Sequence, residues 1–276
     1  MKTMKIFKIS SVLVFFALFM FTFASCENDN AISTDDAIKT TEDIALADAM
    51  FDDAFEQAEI YENSTTKDIA DNCFPTITIE YPENTPFPRV ITIDFGTGDC
   101  MTQDSIIRSG KIIVTTTAFF LEEGAKRIVS FENYTVNDFQ IEGTHTITNM
   151  GKNDAGNLIR KIEIDGKVTT PDGKVISRTS VREREWIKGV NTPLFFWDDV
   201  FSITGYASGV NRDGVAYTSE ITVPLIKARN CRWVQEGEST ITTENATIVI
   251  NYGDGTCDNI ATVTVNGEEK EIKFKW

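Results

Sequence analysis

The sequence predicts a mainly β fold: a long antiparallel meander, built as an open curved sheet, a sandwich or a partly closed barrel, with one N-terminal amphipathic helix. Three observations predict it. Of 276 residues, 31 are Ile, 18 Val and 34 Thr, against 7 Leu; β-branched side chains suit a pleated surface, whereas helices are built on Leu and Ala. Strand-like runs follow one another from residue 71 onward, separated by short turn signals. Only the stretch from Thr41 to Tyr61 carries a helical stripe. At 41% hydrophobic and 25% charged residues the composition is that of a globular protein. Lys and Arg number 26 against 42 Asp and Glu, a net charge of −16. That balance excludes sequence-independent nucleic-acid binding, which needs a basic footprint for phosphates.

Taken in order, the chain opens on an export signal. Lys2, Lys5 and Lys8 form a basic start, Ile9 to Phe23 an apolar run, and Ala24-Ser25 a small-residue site before Cys26. An uncleaved anchor is the alternative, since a spanning helix needs about 20 apolar residues. Phe23-Ala24-Ser25-Cys26 resembles the lipobox of bacterial lipoproteins. The resemblance implies that residues 1–25 are a signal peptide and that Cys26 is lipidated and becomes the first mature residue. Glu27 and Asp29 behind it resemble the export signal of Bacteroidota lipoproteins that reach the outer face of the outer membrane. Processing removes three lysines and no acids, so the mature chain is more acidic still.

Residues 26–43, with Ser33, Thr34, Asp35 and Asp36, read as a polar lipidated tether. Residues 44–70 read as helix and linker. Ile44, Ala47, Phe51, Ala54, Phe55, Ala58 and Tyr61 recur at steps of three and four, while Asp43, Asp48, Asp52, Asp53, Glu56 and Glu59 fill the rest. Thr40 or Thr41 can cap the start. The stripe either packs on the protein's own sheet or grips a partner.

Residues 71–276 form the β domain. Strands are expected at Thr76–Tyr81, Val90–Phe95, Lys111–Leu121, Arg127–Val136, Phe139–Asn149, Leu158–Thr169 and Lys174–Trp186. They continue at Val200–Gly209, Val215–Ile226, Ser239–Thr243, Thr247–Tyr252, Ala261–Val265 and Lys270–Trp276. Asn137-Asp138, Pro171-Asp172-Gly173, Arg212-Asp213-Gly214 and Asn266-Gly267 are hairpin signals, and short connections imply antiparallel neighbours. In Lys174–Trp186 neither face is cleanly apolar: Ile176, Arg178, Ser180 and Arg182 share one of them.

Four cysteines remain beyond Cys26, namely Cys73, Cys100, Cys231 and Cys257. An even number in an exported chain implies disulfides. The segment Ile91 to Cys100 matches Ile248 to Cys257 in a strand, an aromatic, two glycines and a cysteine in order. This internal repeat, at residues 73–121 and 231–276, predicts the pairs Cys73–Cys100 and Cys231–Cys257, each stapling a local hairpin. A zinc site would place its thiols in close pairs, and none occurs here.

Catalytic motifs are sparse. The single histidine, His145, reads as a strand residue with a satisfied hydrogen bond. No G-x-S-x-G, P-loop or dinucleotide fingerprint is present, so neither catalytic residues nor a cofactor or metal are assigned. Glu183 with Glu185, or Asp198 with Asp199, are the carboxylate pairs a glycosidase would need. Acids near the repeat turns (Asp94, Asp99, Asp254, Asp258) could ligate calcium or simply close Gly-Asp turns. The remaining feature is aromatic: Phe195, Phe196 and Trp197 beside Asp198 and Asp199, three rings and two acids like those of sugar-binding surfaces. The bland alternative folds the rings back over the sheet.

As a whole the chain resembles Bacteroidota-type outer-membrane lipoproteins, with a lipobox, acids after the lipidated Cys and Cys-marked β repeats. That resemblance implies an outer-membrane, lipid-anchored, surface-exposed location, with the membrane as a partner through the lipid. Three functions are consistent with it. The first is a non-catalytic surface binding or structural module facing a glycan or an envelope protein. The others are a carrier of a lipid or other hydrophobic ligand in a curved sheet, and a glycan-acting enzyme.

Overall fold

Alternating β-branched residues carry the chain through fourteen antiparallel strands in the computed structural model, which describes residues 33–62, 74–98, 100–102, 105–192 and 195–274. The expected signal peptide, Cys26 and the first part of the tether lie outside the described residues, as do Cys73, Asp99 and Trp276. The strands are β1 (Thr76–Glu80), β2 (Arg89–Asp94), β3 (Cys100–Met101), β4 (Ile107–Thr116), β5 (Lys126–Val136), β6 (Phe139–Lys152) and β7 (Leu158–Thr169). They continue with β8 (Val175–Lys188), β9 (Val200–Val210), β10 (Ala216–Ala228), β11 (Glu236–Thr243), β12 (Thr247–Asp254), β13 (Ile260–Val265) and β14 (Glu268–Lys273). Each pairs with its sequence neighbours, except that β2 and the short β3 lie along the same edge of β4. The sheet is open, with β1 and β14 at its edges. It is therefore the meander in its open-sheet form, not a closed barrel.

All four hairpin signals sit in turns. Asn137 and Asp138 take φ of 47° and 66°, and Asn266 and Gly267 take 52° and 83°, the left-handed pair that a two-residue hairpin loop requires. One strand moved. The run expected at Lys111–Leu121 is β4 at Ile107–Thr116, because Gly110 (φ 74°) forms a bulge opposite Glu132 and Asn133 and lets the ladder continue back to Ile107. Beyond Thr116 the chain turns out of the sheet, leaving Phe119 and Leu121 exposed.

The helix, α1 (Thr34–Glu62), starts inside the stretch expected as tether. Ser33 Oγ accepts the Asp36 amide hydrogen at 3.1 Å, an N-cap bond, and Asp35 and Asp36 occupy the positive end of the helix dipole. Ala37, Thr40 and Thr41 are buried, so the packed face continues toward the N-terminus in residues too small to register as a hydrophobic stripe.

Of the two ends of α1, the N-terminal one packs Ala37 and Ile44 with Ile248, Ile250 and Val263 of β12 and β13. Its longer C-terminal part, from Leu46 to Tyr61, shares a core with Ile91 and Ile93 on β2, Ile112 and Val114 on β4, and Ile147 and Ile164 on β6 and β7. Strands β2 and β13 lie near opposite ends of the strand order, yet both contact this one helix. The sheet therefore curls about α1, which covers the apolar rows of the inner face. Phe51 shows how close the approach is. A Cβ on Gly166 of β7 would stand 2.5 Å from Phe51 Cζ, so only glycine leaves room for that ring. Among the described residues, no helix is long and apolar enough to cross a membrane.

Candidate functional site

Four acids of α1, Asp43, Asp48, Asp53 and Glu59, face the sheet. Asp43 accepts from Arg212 Nε at 2.6 Å and Asp53 from Arg108 Nε at 3.2 Å. Asp48 meets Arg178 Nε at 2.6 Å and Arg182 Nη2 at 2.7 Å. Glu59 accepts from Arg229 at 2.8 Å and from Arg127 at 3.4 Å. Strand alternation supplies these cations: on β8, Ile176, Arg178, Ser180, Arg182 and Arg184 point to the inner face, and Arg178 is 1% exposed. The mixed face of that strand is thus the half of an ionic seam whose other half is α1.

Where the seam ends, a cleft of about 380 Å3 opens between the C-terminal half of α1, β9 and the end of β10. Its volume falls in the range of small-molecule sites, about 300–1,000 Å3. Asp52, Glu56 and Glu59 line it from the helix, Arg184, Lys227 and Arg229 from the sheet, with Phe201 and Trp197 beside them. Glu59 is the electrostatic centre. Burial pushes its carboxyl up, but Arg229, Arg184, Arg127 and Arg160 outweigh burial and hold it below the usual carboxylate range. The guanidiniums lie over rings. Arg127 and Arg160 each stand 4.4 Å from the Phe120 centroid, and Arg184 stands 4.6 Å from that of Phe201. Burial, then the neighbouring Arg184, lowers the Arg160 pKa to about 9.

The aromatic segment falls at this cleft. Phe196–Asp198 form one turn of 3-10 helix between β8 and β9. The turn is tied down at both ends: Phe195 N donates to Thr192 O at 2.7 Å, and Arg229 N donates to Asp199 O at 2.9 Å. Thr192 Oγ1 donates to the Asp198 carboxylate at 2.9 Å. Phe195 is 58% and Trp197 55% exposed, so these two rings are not folded into the core, and Trp197 lines the cleft. The Phe196 side chain lies outside the described residues. The two acids part ways: Asp198 is exposed, while Asp199 is buried against Gly189 and Trp186, and burial raises its pKa.

Other candidates have structural explanations. His145 on β6 is buried, its Nδ1 3.3 Å from Phe51 O; burial first of all lowers its pKa to about 4, so it is neutral. Glu185 accepts from Asn153 and Asn157, both at 2.7 Å, closing the β6–β7 connection. Asp94 and Asp254 accept from the amides of Gly96 and Thr256, which makes them turn closers. Among the described residues, no group of three or more His, Cys, Asp or Glu is placed to hold a metal ion.

Cys231, before β11, is bonded to Cys257, after β12, with Cα atoms 5.8 Å apart. That bond staples the β11–β12 hairpin across its open end, as the repeat predicts. Cys100 on β3 is buried and disulfide-bonded; Cys73, its expected partner, lies outside the described residues.

Sequence reasoning found the aromatic segment and missed the arginines. Their signal was a cationic row at alternate positions of β8 together with a helix whose polar face is acidic. No protein-family model matches the chain, and no curated protein or solved structure matches it either.

Proposed function

We propose that this chain is a non-catalytic cell-envelope lipoprotein, held in the outer membrane through lipidated Cys26 and displayed on the cell surface, whose cleft beside α1 binds a glycan. The observation that carries the reading is Trp197: a ring 55% exposed, on a hydrogen-bonded turn, at the mouth of a cleft. A half-exposed indole on a hydrogen-bonded turn suits sugar stacking and loses little entropy on binding. Cys26 supports the anchor, and Glu27 with Asp29 support display. The carrier alternative has less behind it, because α1 covers the apolar rows that a hydrophobic ligand would need.

A glycan-binding screen on the folded mature protein, repeated with Trp197→Ala, tests the cleft. The variant should lose at least tenfold in affinity while its unfolding midpoint stays put, since surface changes usually cost under about 0.5 kcal/mol. A large stability loss without a binding defect would sink the site. Fractionation of Cys26→Ala cells tests the anchor: variant protein that still partitions with the outer membrane rules out Cys26.

A further inference from the structure

We infer that the glycan is a neutral oligosaccharide laid along one end of the sheet, from Trp197 to a second aromatic platform at Phe119 on the β4–β5 connection; the inference rests on the cleft being a glycan site. That connection is tied down as the Trp197 turn is. Glu122 N donates to Phe119 O and Gly124 N to Asn149 O, both at 2.8 Å, and Asn149 Nδ2 donates to Phe120 O at 3.0 Å. On this loop Phe119 is 64% exposed, and its ring meets that of Phe87, on the β1–β2 connection, edge to face at 4.8 Å. Leu121 is exposed on the same loop. Grouped apolar side chains held in water mark a contact surface, and a ring already fixed in place loses little entropy on stacking.

The two platforms share an end of the sheet. Connections of a meander alternate between its ends, so β4–β5 and β8–β9 leave the same one. Between them runs a file of rings and a guanidinium. Arg160 lies 4.4 Å from the Phe120 centroid and 5.9 Å from that of Trp186, and Trp186 lies 6.2 Å from Phe201, which lines the cleft with Trp197. The two connections are four strand spacings apart, about 19 Å on a flat sheet at about 4.8 Å per strand. A single sugar ring does not reach from one to the other, and a chain of several does. The cleft is lined by four acids and four cations, so neither an anionic nor a cationic chain gains an advantage there.

The bilayer is not the occupant of this end. Helix α1 begins at the opposite one, beside the β13–β14 turn, where Thr34 Oγ1 donates to Glu268 at 3.0 Å and Asp35 meets Lys270 at 3.1 Å. Cys26 precedes Ser33 by seven residues, a reach of at most about 25 Å. Strand β6 alone has 14 residues, a length of about 46 Å. A lipid on Cys26 therefore leaves Phe119 and Trp197 on the side away from the membrane, where a soluble chain meets them.

Calorimetric titration of the mature protein with maltose, cellobiose and xylobiose, and with the hexasaccharide of each series, tests this. In a series that binds, the hexasaccharide should bind at least tenfold more tightly than the disaccharide. Phe119→Ala should remove that gain, leaving the disaccharide affinity and the unfolding midpoint where they were. Trp197→Ala should weaken both lengths. Equal affinity for the two lengths with Trp197 still required overturns the second platform and keeps the glycan site. A hexasaccharide gain that survives Phe119→Ala overturns the role of Phe119. Failure of every sugar overturns the two readings together. Flotation of the mature chain, prepared without its lipid, on phosphatidylethanolamine vesicles is the remaining arm. Flotation that is lost in Phe119→Ala would make the loop a membrane contact and overturn the inference.

Discussion

Arg229, just past β10, places Nη2 2.8 Å from Glu59 Oε2. The same carboxylate accepts from Arg127 on β5. In the strand order β5 and β10 are five spacings apart, roughly 24 Å on a flat sheet at about 4.8 Å per strand. One carboxylate can bridge them only because the sheet curls round the helix. Glu59 thus ties two distant parts of the meander together through α1, and the cleft lies beside that tie.

Replacing Glu59 by Gln should therefore destabilise the fold by about 3 kcal/mol, the lower end for removing one partner of a buried pair, since its side chain is 16% exposed. Urea unfolding measures it. The pH dependence has a definite sign. A carboxyl whose folded pKa is depressed contributes stability above its unfolded value, about 4.3, and that stability is lost as pH falls through the folded value. Wild type should lose more stability below about pH 4 than Glu59→Gln does. Identical acid limbs would show that Glu59 is not held ionised by its arginines.

His145 acts in a higher window. Its pKa drops from 6.5 to about 4 on folding, chiefly through burial, so the unfolded chain takes up the proton first. Stability is then full above about pH 6.5 and declines as pH falls toward 4. The loss is ~2 kcal/mol between pH 7 and 5. His145→Gln should flatten the stability curve over that range, whatever its effect at pH 7. A variant curve parallel to wild type from pH 7 to 5 would mean that His145 titrates normally.

The fold was legible because its signals are local. Asn137-Asp138 and Asn266-Gly267 name their turns, and β-branched alternation names the strands between them. What was illegible depends on partners distant in sequence. Ala37 looks like tether until β11–β13 cover it. Gly110 reads as a strand boundary until Glu132 and Asn133 make it a bulge. Arg178 and Arg182 read as part of a mixed face of β8, and the acids of α1 as the polar side of a helical stripe. Each is a charged row that could face water, and only the pairing of Asp48 with Arg178 and Arg182 shows that the two rows meet. Trp197 was legible because three consecutive rings beside two acids need no partner to stand out.

Gly166 should be intolerant of even one methyl group. A Cβ there meets Phe51 Cζ at 2.5 Å and also the Glu142 carbonyl oxygen, and the backbone oxygen cannot step aside. Gly166→Ala should cost about 1–3 kcal/mol, the usual range for overpacking a filled core. Gly156→Ala is the control: no atom lies within 4 Å, so only its positive φ opposes the change. If Gly166→Ala unfolds no more easily than the control, α1 does not lie against β7.

The cysteines allow the most direct check on the repeat. Cys231–Cys257 closes a sequence separation of 26, which in the chain-entropy model stabilises by about 3.5 kcal/mol. The double change Cys231→Ala with Cys257→Ala should lower the unfolding midpoint accordingly and loosen the β11–β12 hairpin first, visible as faster amide exchange there. Cys100 sits after β2 as Cys257 sits after β12, and Cys73 precedes β1 as Cys231 precedes β11. With Cys231 and Cys257 bonded to each other, a non-reducing peptide map should show a second linkage between the Cys73 and Cys100 peptides. Finding Cys100 joined to any other cysteine would end the symmetry of the two stapled hairpins, although Cys231–Cys257 would stand on its own.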